Sequence, residues 1–244
     1  MTAMRIHDAL KEAQDGRALT NLARAFHLPP EKVDIAVDAA LSDLVAEALP
    51  RLHDRNRLAG LVDLLGQSAY EQVLDTPVLL GATHTQVLGT DALRVMAGRG
   101  AADTISGRTA AAAEISEMIS EYLLPVVAAM VLGALARLSG HALESISQGL
   151  PADADPGADP DARRTLHLPR ASGGVGFSGS TGGSVGFKAL VREPSRYAEL
   201  AELIEHPERK SGVADPVDTV RNTLSACLTG SDQAADRGAA SAAP

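Results

Sequence analysis

Tryptophan is absent from this 244-residue chain, and there are only three tyrosines, three phenylalanines and one cysteine. Without Trp there are few large aromatic anchors of the kind that dominate tight interfaces. The core must instead be built from Ala, Leu, Val and Ile, which suits close helix–helix contact. Lone Cys227 cannot form an internal disulfide, so the fold needs no oxidising compartment. No run of basic residues occurs, and the net charge is -9. That balance argues against binding to nucleic-acid phosphates, which calls for clustered Lys and Arg. Met1 to Asp15 lacks the continuous apolar segment of a signal peptide, which makes the cytoplasm the expected compartment.

The most informative stretch runs from Glu114 to Leu138. Ile115, Met118, Ile119, Tyr122 and Leu123 recur at helical spacing, with Glu114, Glu117 and Glu121 on the opposite side. From Tyr122 to Ala136 there is no charge. A helix apolar all round is buried on most sides. The run is shorter than the roughly 20 apolar residues of a membrane span, ends at Arg137 and contains Pro125 and Gly133, so no membrane span is expected. Pro125 either kinks the helix or opens a second one in its first turn.

Helical patterns fill the remainder of residues 1–150. Ile6, Ala9, Leu10 and Ala13 share a face before a stop at Asp15-Gly16. A short helix follows from Leu19 to Phe26. Pro30 opens a long helix with an apolar stripe of Val33, Val37, Ala40, Leu41, Leu44, Val45 and Leu49, ended by Pro50. Leu58, Leu61, Val62, Leu64 and Leu65 predict another helix, closed by Gly66. Residues 68–100 read as looser, punctuated by Pro77, Gly81, Gly89 and Gly98, with only a helical turn or two around Leu93. Ala101 to Ala113 is a helix former leading into the central stretch.

Composition changes at Leu150. Residues 151–170 begin acidic and Pro-rich and read as a linker. Residues 171–244 read as a Gly-rich, low-complexity tail carrying two short helices, one starting near Pro194 and one at Asp215-Pro216. Within it Gly173-Gly-Val-Gly-Phe177 is echoed by Gly183-Ser-Val-Gly-Phe187. The expected fold is thus all-α: a compact bundle of short helices around a Pro-containing apolar helix, followed by a largely disordered Gly/Pro/Ala-rich tail.

Two segments resemble a bacterial family, the YidB-like domain of unknown function 937. Leu28-Pro-Pro-Glu-Lys-Val33 is similar to its Leu-Ser-Pro-Glu turn before a long helix. Leu124-Pro-Val-Val-Ala-Ala-Met-Val-Leu-Gly-Ala-Leu135 is similar to its Pro-containing apolar helix. Val87-Leu88-Gly89 before Leu93 to Gly98 looks like its Leu-Gly…Gly element. The likeness covers about residues 19–140; Pro29 departs from the family's capping Ser, and the part after Leu150 has no counterpart. The resemblance implies a small all-helical domain and no established activity, so no functional residues transfer.

No residue pattern defines a reaction. Gly174-Val-Gly-Phe-Ser-Gly179 has dinucleotide-turn spacing, but it lacks the strand before and the helix after that the mechanism needs. No two of the seven histidines stand three or four apart, so no helix presents a metal-binding pair. Cys227, on a helix without basic neighbours, reads as a small hydrophobe. Catalytic, cofactor and metal residues are therefore all expected to be absent. The functional expectation is a non-enzymatic interaction or scaffold protein that binds a protein partner or itself. The candidate contact residues are Tyr122, Leu123, Val127, Met130 and Val131. The alternative is a domain that binds a small apolar ligand or lipid in a cavity along the Tyr122–Ala136 run.

Overall fold

The computed structural model describes residues 6–98, 100–149, 195–207 and 215–230. Among the described residues all regular structure is helical. The elements are α1 (Ile6–Gly16), α2 (Ala18–Ala25), α3 (Pro30–Arg51), α4 (Arg55–Leu65), α5 (Ser68–Asp75), a 3-10 turn (Pro77–Gly81), α6 (Thr83–Met96), α7 (Ala101–Ala113), α8 (Glu117–Gln148), α9 (Ala198–Glu205) and α10 (Val217–Thr229). Residues 150–194, which hold the linker, the glycine-rich repeat and the dinucleotide-like spacing, lie outside the described residues. The disorder expected of that part, and of residues 231–244, lies outside them too.

The central apolar run becomes the axis of the bundle. Leu123 to Ala136 is buried without interruption, and α8 touches α1, α3, α4, α5, α6, α7 and α10. Each buried Leu, Val or Met there contributes roughly 1.5–3 kcal/mol. By length and composition alone α8 could cross a membrane, yet 78% of its most apolar window is enclosed by other helices.

Its start differs from the sequence reading. Glu114 adopts a left-handed backbone (φ 51°) that ends α7, and Ser116 caps α8, its Oγ accepting from the Ile119 N–H at 3.3 Å. The new register buries Ser120 and leaves Met118 and Tyr122 on the outside, so the expected inward face is rotated. The Ser120 hydroxyl donates to the Ser106 carbonyl of α7 at 2.8 Å, which makes that burial tolerable. At Pro125 the helix continues unbroken, so the second of the two sequence readings, a new helix, does not hold.

Helix α6 packs closely around that proline. Pro125 cannot donate to the Glu121 carbonyl four residues back. In the same turn, the Gln86 side-chain amide of α6 donates to the Tyr122 carbonyl at 2.8 Å. One turn further on, Gly89 brings the α6 backbone against Pro125: a β-carbon at Gly89 would overlap the Pro125 carbonyl and sit 2.7 Å from its Cα. A second glycine, Gly133 of α8, meets the Tyr70 carbonyl of α5; a β-carbon there would also lie 3.1 Å from the Leu74 Cβ. Fully buried Tyr70 donates its hydroxyl to the Leu88 carbonyl of α6 at 3.2 Å, tying α5 to α6 beside both crossings.

The segment read as loose is mostly helix. Residues 68–75 and 83–96 form α5 and α6, and the Thr85 hydroxyl donates to the Leu79 carbonyl at 2.6 Å to secure the entry into α6. Gly89, read as punctuation, is an interior contact point. Pro50 likewise does not stop α3; it stands in its last turn, with Leu52 N–H reaching back to the Ala48 carbonyl.

Both expected short C-terminal helices exist, and both pack on the bundle. Leu200, Ala201, Leu203 and Ile204 of α9 are buried against α4, and Val217, Val220, Leu224 and Leu228 of α10 are buried against α8 and α3. Arg196 N–H donates to the Gly66 carbonyl at 3.1 Å, and the Tyr197 hydroxyl donates to the Gly140 carbonyl at 3.0 Å. Arg55 of α4 pairs with Asp215 and reaches the Ile204 carbonyl at 3.4 Å. The bundle therefore does not close at residue 150; it takes in α9 and α10, whereas composition places them in a tail over residues 171–244.

Candidate functional site

Of the five contact residues expected from the sequence, four are core. Leu123, Val127, Met130 and Val131 are each 0–1% exposed and face other helices of the same chain. A partner cannot reach them while the bundle is folded. Tyr122 is different: it is 60% exposed, and Met118, one turn earlier, is 69% exposed. Val87, next in the chain to Gln86 that holds the Tyr122 carbonyl, is 47% exposed. The apolar side chains left in solvent at the start of α8 are thus fixed on a rigid backbone, between a capped N-terminus and the Pro125 crossing.

A second feature escaped the sequence reading. Arg51 at the end of α3, Asn56, Arg57 and Gly60 on α4, Arg94 and Val95 on α6, and Gly98 just after α6 line a cleft of about 630 Å³. The three arginines are spread over 44 positions on three helices, so no basic run betrays them. A smaller cleft of about 480 Å³ lies between α1, α3 and the end of α10, where His7 Nε2 stands 2.8 Å from Asp38 Oδ1.

The remaining candidates are unremarkable in placement. Cys227 is half-buried on α10 as a free thiol, and burial pushes its pKa up, which disfavours the thiolate. Among the described residues no group of three or more His, Cys, Asp or Glu converges as metal ligands would. Glu117 and Glu121 lie on the solvent side of α8.

The described residues form a helical bundle wrapped around one enclosed, proline-containing helix. A family model described as bacterial protein of unknown function (DUF937) matches residues 8–137, just over half of the chain, and the chain belongs to that family. The matched span begins in α1, earlier than the resemblance at 19–140 suggested, and ends where Arg137 closes the apolar run. No curated protein and no solved structure matches the chain.

Proposed function

We propose that this is a non-enzymatic interaction protein that associates with a second copy of itself through the start of α8. The observation that carries the reading is the Met118–Tyr122 pair, two large apolar side chains one turn apart and mostly in solvent. Residues at i and i+4 form one continuous surface on a helix. Tyr is among the residues enriched at the centres of protein interfaces. A pair of side chains is an anchor, and a stable interface buries on the order of 1,000 Å² or more in total; Val87 extends the same apolar character onto α6.

Light scattering after size-exclusion chromatography tests the reading. Wild type should run as a dimer or larger at micromolar concentration, and Tyr122→Arg as a monomer with unchanged helicity. A wild-type monomer across the full concentration range would remove it. The compartment we propose is the cytoplasm, since one half-buried cysteine leaves nothing for an oxidising environment to stabilise; recovery of the tagged chain only in the membrane fraction would contradict this. The apolar-ligand alternative draws less support, because Leu123–Ala136 is packed by neighbouring helices and lines neither of the two clefts described.

A further inference from the structure

We infer that the cleft between the end of α3, α4 and α6 is a binding site for a small phosphorylated molecule. Three arginines, Arg51, Arg57 and Arg94, line it, and none of its lining residues is acidic. This happens in a chain whose net charge is -9. Gathering like charges in one concavity works against folding unless something else is gained, and it raises the local concentration of anions.

The arginines are not spent on each other's neighbours. Arg51 turns only Nη1 to Glu47, reaching its carbonyl and, at 2.6 Å, its carboxylate. The Nε–Nη2 edge of Arg51 lies along Gly98. There the backbone is left-handed (φ 81°), and a β-carbon would stand 3.1 Å from Nη2 and 3.3 Å from Nε. Only glycine adopts that conformation without strain, and only glycine leaves that edge clear. Arg94 uses Nη2 for Asp91 at 2.9 Å. The Arg57 side chain forms no ion pair among the described residues, while its backbone N–H donates to the capping carboxylate of Asp54 at 3.2 Å. Glu47 and Asp91 each engage one nitrogen of their arginine, and Asp54 is turned to the backbone of α4, so the other guanidinium nitrogens remain as donors.

The ligand class follows from the geometry of the donors and the size of the space. A guanidinium presents a planar fork that matches phosphate oxygens in pairs, which a lysine ammonium does not. A cleft of about 630 Å³ is in the range that holds small organic ligands, and Val95 and Gly60 supply an apolar part of the wall. An extended polyanion would call for clustered Lys and Arg, and the sequence has no basic run.

Isothermal titration calorimetry of the full chain at fixed ionic strength, with inorganic pyrophosphate as the probe, tests the assignment. Saturable binding is expected, weakened at least tenfold in Arg57→Gln and in Arg94→Gln. Arg24→Gln, on α2 outside the cleft, should bind like wild type. Circular dichroism confirms folding of each variant, and Arg57 is exposed enough that its replacement leaves the bundle intact. Three results would overturn it: no saturable heat up to millimolar pyrophosphate, Arg57→Gln binding as tightly as wild type, or Arg24→Gln losing as much as the cleft variants. Tight binding of a single-stranded RNA that pyrophosphate fails to displace would overturn it as well.

Discussion

Gly89 of α6 and Pro125 of α8 meet backbone to backbone. The glycine has no room for even a methyl group, since a β-carbon would overlap the proline's carbonyl. At the same crossing the Gln86 side chain of α6 donates to the Tyr122 carbonyl, in the turn before the proline. Gly89→Ala should therefore force the two helices apart and cost about 3 kcal/mol, as overpacking of backbone contacts does. That is a fall in Tm of roughly 6–12 °C for a domain of this size. Gly133→Ala, against the Tyr70 carbonyl, should behave alike. Gly107, inside α7 with nothing within 4 Å of its missing β-carbon, supplies the opposite sign: Gly107→Ala should stabilise by about 0.5–1 kcal/mol. Equal effects at Gly89 and Gly107 would show that the crossing is not tight.

Truncation after Gly149 should be strongly destabilising, because it uncovers the faces of α4, α8 and α3 that α9 and α10 bury. Calorimetry should show a lowered Tm and the shortened chain should bind a hydrophobic dye. A truncated chain as stable as the full one would mean that the two C-terminal helices are ornaments.

Asp215 makes part of that attachment depend on pH. Its slight burial pushes its pKa up, but hydrogen bonds from Arg55 and from the Val217 N–H, with the charges of Arg55 and Arg221, outweigh this and hold it below the usual carboxylate range. A lowered folded-state pKa contributes stability above the unfolded value of about 3.9, lost as pH falls through the folded value. The pair is largely exposed, so the contribution is under about 1 kcal/mol. Asp215→Asn should lower stability slightly at pH 7, by a margin that shrinks as pH falls below the unfolded value, as read by urea denaturation. A difference that grows towards low pH would contradict the sign.

Cys227 should react slowly with iodoacetamide at neutral pH, since burial raises its pKa and the reactive form is the thiolate. Mass spectrometry of the native and the urea-unfolded chain should show faster labelling only after unfolding. Labelling of the native chain as fast as a free thiol would place α10 off the bundle.

The sequence carried the fold class through periodicity: the apolar run, the Pro30 start of α3 and the Gly66 end of α4 are local signals with local causes. Residues 68–100 look loose in the sequence because Gly89 and Gly81 resemble breaks, whereas Gly89 lies inside α6, where the missing β-carbon admits the Pro125 backbone. The sequence rotates the start of α8 because Ser116 and Ser120 read as filler, though one caps the helix and the other satisfies α7. The surface was harder still. Tyr122 shares its apolar run with four residues that turn inward, and the arginine cleft is assembled from three helices whose proximity no linear pattern records.

Amide hydrogen exchange of Leu123–Ala136, followed by mass spectrometry on the detergent-free protein, tests most directly whether this oily helix is the enclosed core. The expected result is that these amides are the slowest in the chain and exchange only when the whole bundle opens. Exchange within seconds in native buffer, or a chain that stays in solution only with detergent, would contradict it.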